Sequence, residues 1–133
     1  MRRRIYLFAG VVLLLTTLPS LLVDTTSGPY DSVGTTLLGI GGLLFIAAAR
    51  RDTVEIGDWT FSWHQLVGAA DIALGIGFPL TLLNRVLGPA ATPTDYTIFA
   101  AGIVGGVVLT FIGVDVIRGS RYVSLGQPEN PDA

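Results

Sequence analysis

One carboxylate stands inside an otherwise apolar stretch of this chain. In the segment HQLVGAADIALGIGFPL, residues 64–80, the only acidic residue is Asp71. An ionised carboxylate is costly to bury in apolar surroundings, and it is retained there when it pairs with another polar group or exchanges a proton or a cation. Asp71 therefore has two interpretations, an interhelical clamp or a protonatable site that couples to ion movement.

Few other polar residues are placed to act together with Asp71. His64 lies two turns earlier on the same side of a helix, and Thr110 is expected at a similar depth in the last apolar stretch. Asp115 and Arg118 have the three-residue spacing of an exposed, weakly stabilising ion pair on one helix face. We therefore predict a polar site that comprises Asp71, His64, Thr110, Asp115 and Arg118.

The residue types that most catalytic and metal sites need are scarce. The chain has no cysteine, one histidine and one methionine, which excludes disulfides, thiolate ligands and a haem held by two histidines of one chain. The glycine-rich segments GIGG and GIVGG lie inside apolar stretches rather than after strands, so they are packing glycines and not nucleotide-binding loops. We expect no enzymatic activity, no cofactor and no metal.

Apolar helices must position the polar candidates. Of 133 residues, 50% are hydrophobic and 14% are charged, and the mean hydropathy of +0.64 is that of a membrane protein. A helix needs about 20 apolar residues to cross a bilayer. Four stretches qualify, at residues 5–23, 33–49, 64–84 and 97–117. We predict an all-α membrane protein with four transmembrane helices in one domain, residues 1–117, followed by a polar cytoplasmic tail, residues 118–133.

The arginines predict the orientation, because positively charged loops stay in the cytoplasm during membrane insertion. With four crossings, Arg85 falls on the outer side. The remaining arginines fall on the inner side: Arg2, Arg3, Arg4, Arg50, Arg51, Arg118 and Arg121. We expect a protein of the cell membrane with both termini cytoplasmic. A cleaved signal peptide is the alternative for the first stretch, and the length of the stretch and the lack of a small-residue cleavage pattern oppose it.

The sequence contains the pattern of a duplicated helical hairpin. The matching residues, at shifts of 60 and then 64 positions, are Pro19 with Pro79, Gly28-Pro29 with Gly88-Pro89, and Asp31 with Asp95. Proline and glycine fix backbone geometry, so these matches carry more weight than matches of leucine. We predict two tandem helical hairpins in which each Gly-Pro pair stops a helix and each aspartate caps the next one.

Small residues at four-residue spacing predict close helix packing in lipid. The third stretch contains Ala69, Ala73 and Gly77 at this spacing. The fourth contains two such pairs, Ala101 with Gly105 and Gly102 with Gly106. We expect the third and fourth helices to be close neighbours, or one of them to form a dimer surface.

The segment between the hairpins, residues 52–63, alternates apolar and polar residues. Val54 and Ile56 do so before Gly57-Asp58, and Trp59, Phe61 and Trp63 do so after it. This pattern predicts a short cytoplasmic β-hairpin with one apolar face. Two strands alone are marginally stable, so that face needs a partner. The headgroup boundary, which tryptophan favours, is one such partner and a docked protein is the other.

Two functions agree with these features. The first is a non-enzymatic accessory or scaffolding subunit that assembles through small-residue helix faces, as a homo-oligomer or with other membrane subunits. The second is a small oligomeric transporter or channel for protons or ions, with Asp71 at its coupling site. The net charge of −2 argues against nucleic acid as a partner, whereas the lipid bilayer is expected as one. The use of arginine without lysine and the excess of aspartate are typical of adaptation to high salt.

Overall fold

Four long helices and a two-stranded sheet make up the chain in this computed structural model, which describes residues 2–23 and 28–119. The elements are α1 (Arg2–Leu22), α2 (Pro29–Arg50), β1 (Thr53–Ile56), β2 (Trp59–Ser62), α3 (Trp63–Leu87) and α4 (Pro93–Ile117). Each helix is long and apolar enough to cross a membrane. The prediction of four such helices with a short hairpin between the second and the third is confirmed. Most of the predicted tail lies outside the described residues.

The helix α4 begins four residues before the apolar stretch that predicted it. Pro93 occupies the first turn, where its missing N–H costs nothing. Thr92 is the N-cap: its hydroxyl accepts a hydrogen bond from the Asp95 N–H at 3.3 Å, and the Asp95 carboxylate accepts one from the Thr92 N–H at 2.9 Å. Asp95 therefore takes part in capping the helix, as predicted, but from within its first turn, and the N-cap residue itself is Thr92.

The helix α2 also begins earlier than predicted, for a similar reason. Pro29 starts it and Gly28 is the N-cap, so this Gly-Pro pair begins a helix rather than stopping one. Asp31 lies in the first turn of α2, where a carboxylate favours the positive end of the helix. The prediction that Asp31 is the cap of α2 is wrong, because the N-cap is Gly28 and Asp31 lies inside the helix.

The hairpin pairs its strands in register and has one apolar face. Val54 is opposite Phe61, and Ile56 is opposite Trp59, so these four side chains share a face. Gly57 makes the turn with a φ of 61°, a conformation that glycine adopts without strain. The predicted hairpin and its apolar face are confirmed, except that Trp63, predicted to continue the alternation, is the first residue of α3.

The helices form a row in which each one packs against its neighbours along the chain. Extensive contacts join α1 to α2, α2 to α3 and α3 to α4, and no other pair of helices packs to that extent in the described part of the chain. The core lies in the middle of the row, where Phe45 and Ala48 of α2 meet Leu66, Val67 and Ala70 of α3. The two predicted hairpins are therefore not separate units, and the outer helices α1 and α4 leave most of their apolar surface uncovered.

Reciprocal pairs of glycines bring successive helices into backbone contact. They are Gly10 with Gly42 between α1 and α2, Gly34 with Gly77 between α2 and α3, and Gly68 with Gly113 and Gly75 with Gly106 between α3 and α4. A β-carbon on any of these glycines would lie within 3.1 Å of the carbonyl oxygen of its partner. Apolar side chains gain little by leaving lipid for one another, so such close approach is what holds helices together there. The prediction that α3 and α4 are close neighbours is confirmed.

Pro79 contributes to the tightest of these contacts. It has no N–H, so the Gly75 carbonyl cannot accept the usual helical hydrogen bond from residue 79. That carbonyl lies against the α-carbon of Gly106, and the Pro79 ring would stand 2.9 Å from a β-carbon at the same glycine. The carbonyl thus faces a Cα–H group of the neighbouring helix, which is a weak but favourable contact.

The glycine contacts agree with the predicted shift of 64 positions between the second helices of the two hairpins, but they give a different shift between the first helices. Gly42 and Gly106 are 64 positions apart, and both contact a glycine of the preceding helix. Those partners, Gly10 and Gly75, are 65 positions apart rather than 60. The prolines inside α1 and α3, whose match suggested the shift of 60, therefore do not occupy equivalent positions in the two helix pairs.

Adding one methyl group at the α3–α4 contact should destabilise the fold. Gly106→Ala should lower the free energy of unfolding by about 1–3 kcal/mol, because the methyl group would press on the Gly75 carbonyl, which as backbone cannot rotate away. Unfolding midpoints in detergent micelles, followed by circular dichroism, measure this change.

The adjacent glycine supplies the matched control. A β-carbon at Gly105 would have nothing within 4 Å among the described residues. Gly105→Ala should therefore leave the midpoint unchanged or raise it slightly, since alanine favours a helix more than glycine does. Equal losses from the two substitutions would contradict the glycine-pair contact.

Candidate functional site

Asp71 lies on α3 between the two glycines that contact α4. Gly68 precedes it by three residues and Gly75 follows it by four, which places Asp71 close to the α4-facing side of the helix. At 1.5 Å per residue it is about 12 Å from the start of α3, well inside a membrane-spanning length. The side chain is half-buried, and no hydrogen bond or ion pair joins it to any residue in the described ranges. The interhelical clamp predicted for Asp71 therefore has no hydrogen-bonding or ion-pairing partner among the described residues.

Thr110 is on the facing helix but does not bond to Asp71. Its hydroxyl oxygen occupies the space beside Gly75. It also borders a groove of about 620 Å³ between α3 and α4 whose lining includes Pro79, Leu83, Phe99 and Ile103, and does not include Asp71. Among the described residues that line the groove, Thr110 has the only polar side chain. The groove suits hydrocarbon rather than an ion.

Asp115 and Arg118 do not form the predicted pair. Asp115 is buried, with 5% of its surface exposed, whereas Arg118 is exposed as the C-cap of α4. No ion pair joins these two residues. The prediction failed because it assumed a regular, exposed last turn, while the helix ends at Ile117 and buries the face that carries Asp115.

His64 belongs to an aromatic cluster at the hairpin end of the helices. Its ring centroid lies 3.8 Å from that of Trp63. Tyr6 of α1 stacks on Phe45 of α2 with 5.6 Å between centroids, and the Tyr6 ring lies 6.5 Å from Trp63. The cluster therefore joins α1, α2 and the start of α3, and no hydrogen bond or ion pair among the described residues links His64 to Asp71.

Arg3 ties the start of α1 to the base of the hairpin. Its guanidinium lies 5.6 Å from the centre of the Trp63 ring, a cation–π distance, and it forms an ion pair with Asp52. The backbone N–H of Trp63 donates a hydrogen bond of 2.9 Å to the backbone carbonyl of Asp52, and this bond closes the hairpin. The Ser62 N–H donates to the Gln65 side chain at 3.0 Å and caps α3. Sequence analysis did not identify this network, because Arg3 and Asp52 are 49 residues apart.

Asn84 marks the opposite end of the α2–α3 contact. Its amide nitrogen is buried and has no hydrogen-bond partner among the described residues. The same nitrogen would lie 2.7 Å from a β-carbon at Gly28, so a larger residue at position 28 would have to displace the Asn84 amide. The sequence alone gave Asn84 no functional role.

No group of three histidine, aspartate or glutamate side chains within residues 2–23 and 28–119 is arranged to hold a metal ion. The five predicted site residues fall into separate places: Asp71 flanks the α3–α4 contact, Thr110 borders the apolar groove, His64 joins the aromatic cluster, and Asp115 and Arg118 end α4. Of these, Asp71 is the one whose position within a spanning length calls for a functional explanation.

Comparison with known proteins gives a family but no activity. No curated protein and no solved structure matches the chain. One family model, described as a family of unknown function and designated DUF7994, matches residues 1–129. Because the match covers almost the whole sequence, the chain belongs to this family of unknown function.

Proposed function

We propose that this chain is a multi-pass membrane protein with both termini on the cytoplasmic side. Its four candidate spans are 20 to 25 residues long, which suits the thickness of a bilayer core. The antiparallel row gathers Arg3, Arg50 and Arg118 at one end and leaves Arg85 at the other. Positive charge concentrates on the cytoplasmic side of membrane proteins, so the end that carries the hairpin is the cytoplasmic one.

Within that membrane the chain acts as a non-enzymatic accessory or scaffolding subunit. The observation that carries this proposal is the uncovered face of α4. Gly102 and Gly106 are buried against α3, whereas Ala101 and Gly105 are exposed on another side of α4. A small pair at four-residue spacing lets the backbone of another helix approach closely. This face of α4 is where a second copy or another membrane subunit packs.

The position of α4 in the row supports this assignment. The small residues of the inner helices are already engaged in contacts between α2 and α3, since Gly77 contacts Gly34 and Gly41 contacts Ala70. Helix α4 is an outer helix and the most apolar of the four, with a mean hydropathy of 2.2 over its best window. Ala101 and Gly105 are small, so they leave a shallow furrow on the surface of α4. Lipid can cover this surface, but another helix fills the furrow more completely.

A second candidate function is supported by Asp71 alone. A half-buried carboxylate without a bonding partner in the described residues, about 12 Å into a spanning helix, is the kind of group that binds protons or cations in transporters. The second candidate is therefore a small oligomeric proton- or ion-coupled transporter or channel. The apolar lining of the α3–α4 groove offers no polar path beside Asp71, which is why the accessory role ranks first.

Filling the furrow on α4 should abolish assembly without unfolding the chain. Gly105→Leu should weaken self-association or co-purification with a membrane subunit at least about tenfold, equivalent to about 1.4 kcal/mol. Native mass spectrometry and sedimentation equilibrium in mild detergent measure the assembled fraction. Val107→Leu, an exposed substitution on another side of α4, should change nothing. An assembled fraction that is the same in Gly105→Leu and the wild type would refute this role for α4.

Flux measurements separate the two candidate functions. The accessory role predicts that vesicles containing the purified protein conduct protons and monovalent cations no faster than empty vesicles, and that Asp71→Asn leaves this unchanged. Asp58→Asn, in the exposed hairpin turn, is the matched control. Wild-type flux that Asp71→Asn abolishes and Asp58→Asn preserves would overturn the accessory role and establish the transporter.

A further inference from the structure

The apolar face of the hairpin is divided into a packed half and an exposed half. Val54 and Phe61, nearer its base, pack against the core cluster of α2 and α3. Ile56 and Trp59, nearer the turn, are 63% and 71% exposed. Two large apolar side chains left next to each other in water would be unfavourable, so the exposed half needs a partner.

The strand register fixes the direction in which the exposed half faces. All four side chains lie on one face, so Ile56 and Trp59 point the same way as Val54 and Phe61. Val54 and Phe61 point at the ends of the helices. The exposed half is therefore a continuation of the packed interface, directed toward the membrane side of the hairpin rather than away from it.

The base of the hairpin is held firmly enough to maintain that direction. The Trp63 N–H bonds to the Asp52 carbonyl, and the Asp52 carboxylate pairs with Arg3 of α1. Three residues of extended strand carry Ile56 about 10 Å from the base. The helices form a single row. Any part of the hairpin that extends sideways from this row therefore lies above lipid and not above another helix of this chain.

The chemistry of the two faces fits the boundary between lipid and water. Trp59 has an apolar ring with one N–H donor, and tryptophan concentrates at headgroup level. The opposite face carries Thr53, Glu55 and Thr60, which are all exposed. The outer part of the hairpin has acidic residues and no basic residue, so its contact with lipid is apolar and does not depend on anionic headgroups.

We propose that the hairpin is a membrane-surface anchor, in which Ile56 and Trp59 insert into the headgroup boundary of the cytoplasmic leaflet beside the helix row. This inference rests on the proposed membrane-spanning arrangement. The anchor fixes the depth and rotation of α2 and α3, the two helices that it connects, and it keeps the polar face of the hairpin in water.

Spin labels on single cysteines test the anchor, and the natural absence of cysteine makes each label unique. Ile56→Cys and Thr60→Cys place labels on opposite faces of the same hairpin near its tip. In nanodiscs of phosphatidylcholine, the ratio of collisions with oxygen to collisions with a water-soluble nickel chelate should be at least about threefold higher at residue 56 than at residue 60, since oxygen concentrates in lipid. Both positions are exposed, so neither label disturbs packing.

A third label distinguishes failure of the anchor from failure of the spanning proposal. A label at Val107→Cys, on the exposed side of α4, should report lipid. If it reports water, the spanning arrangement fails. If it reports lipid while residue 56 is as accessible to nickel as residue 60, the anchor alone is refuted. A label at residue 56 that is shielded from both probes would also refute it, because a second copy or another protein would then cover the face.

Discussion

Backbone contact between paired glycines is the constraint on which the rest of this structure depends. In lipid, apolar side chains gain little by contacting one another, so helices associate through close packing and weak Cα–H···O contacts. Glycine allows that approach, and a β-carbon at any of the four pairs would meet the partner's carbonyl oxygen. Each pair also sets the register of its interface. The three interfaces, α1 with α2, α2 with α3 and α3 with α4, together form a row of antiparallel helices rather than a closed bundle.

The row determines where the functional features lie. It brings the start of α1, the end of α2 and the start of α3 together, so that Arg3 reaches Asp52 and Trp63 and the hairpin sits over the core. It leaves α4 covered on the α3 side only, with Ala101 and Gly105 exposed. It also explains the half-burial of Asp71, which lies beside the contact with α4 rather than within it. The proposed assembly face and the proposed surface anchor thus both follow from the same packing.

Sequence analysis predicted the features that one segment specifies by itself. Hydropathy gave the four helices, and alternation around Gly57 gave the hairpin. The pairing of particular residues across two segments was missed, although α3 and α4 were predicted to be neighbours. Gly68 and Gly75 are seven residues apart, and their role is visible only when Gly113 and Gly106 are known to face them. A search for four-residue spacing could not find them.

The predicted polar site shows the same limit. Spacing on one helix placed His64 with Asp71 and Asp115 with Arg118, but the His64 ring lies against Trp63 in the aromatic cluster and Asp115 is buried. The start of α2 was misjudged because a Gly-Pro pair such as Gly28-Pro29 can either end one helix or begin the next. The hydrogen bonds of the first turn decide between them, and these depend on the fold.

Magic-angle-spinning NMR of the glycine-labelled protein in lipid bilayers tests the central claim most directly. With 13C at every glycine α-carbon, the account predicts through-space cross-peaks for Gly10 with Gly42, Gly34 with Gly77, Gly68 with Gly113 and Gly75 with Gly106. Each cross-peak should vanish when one member of its pair is replaced. Spectra in which these α-carbons show no contact across helices would contradict the account.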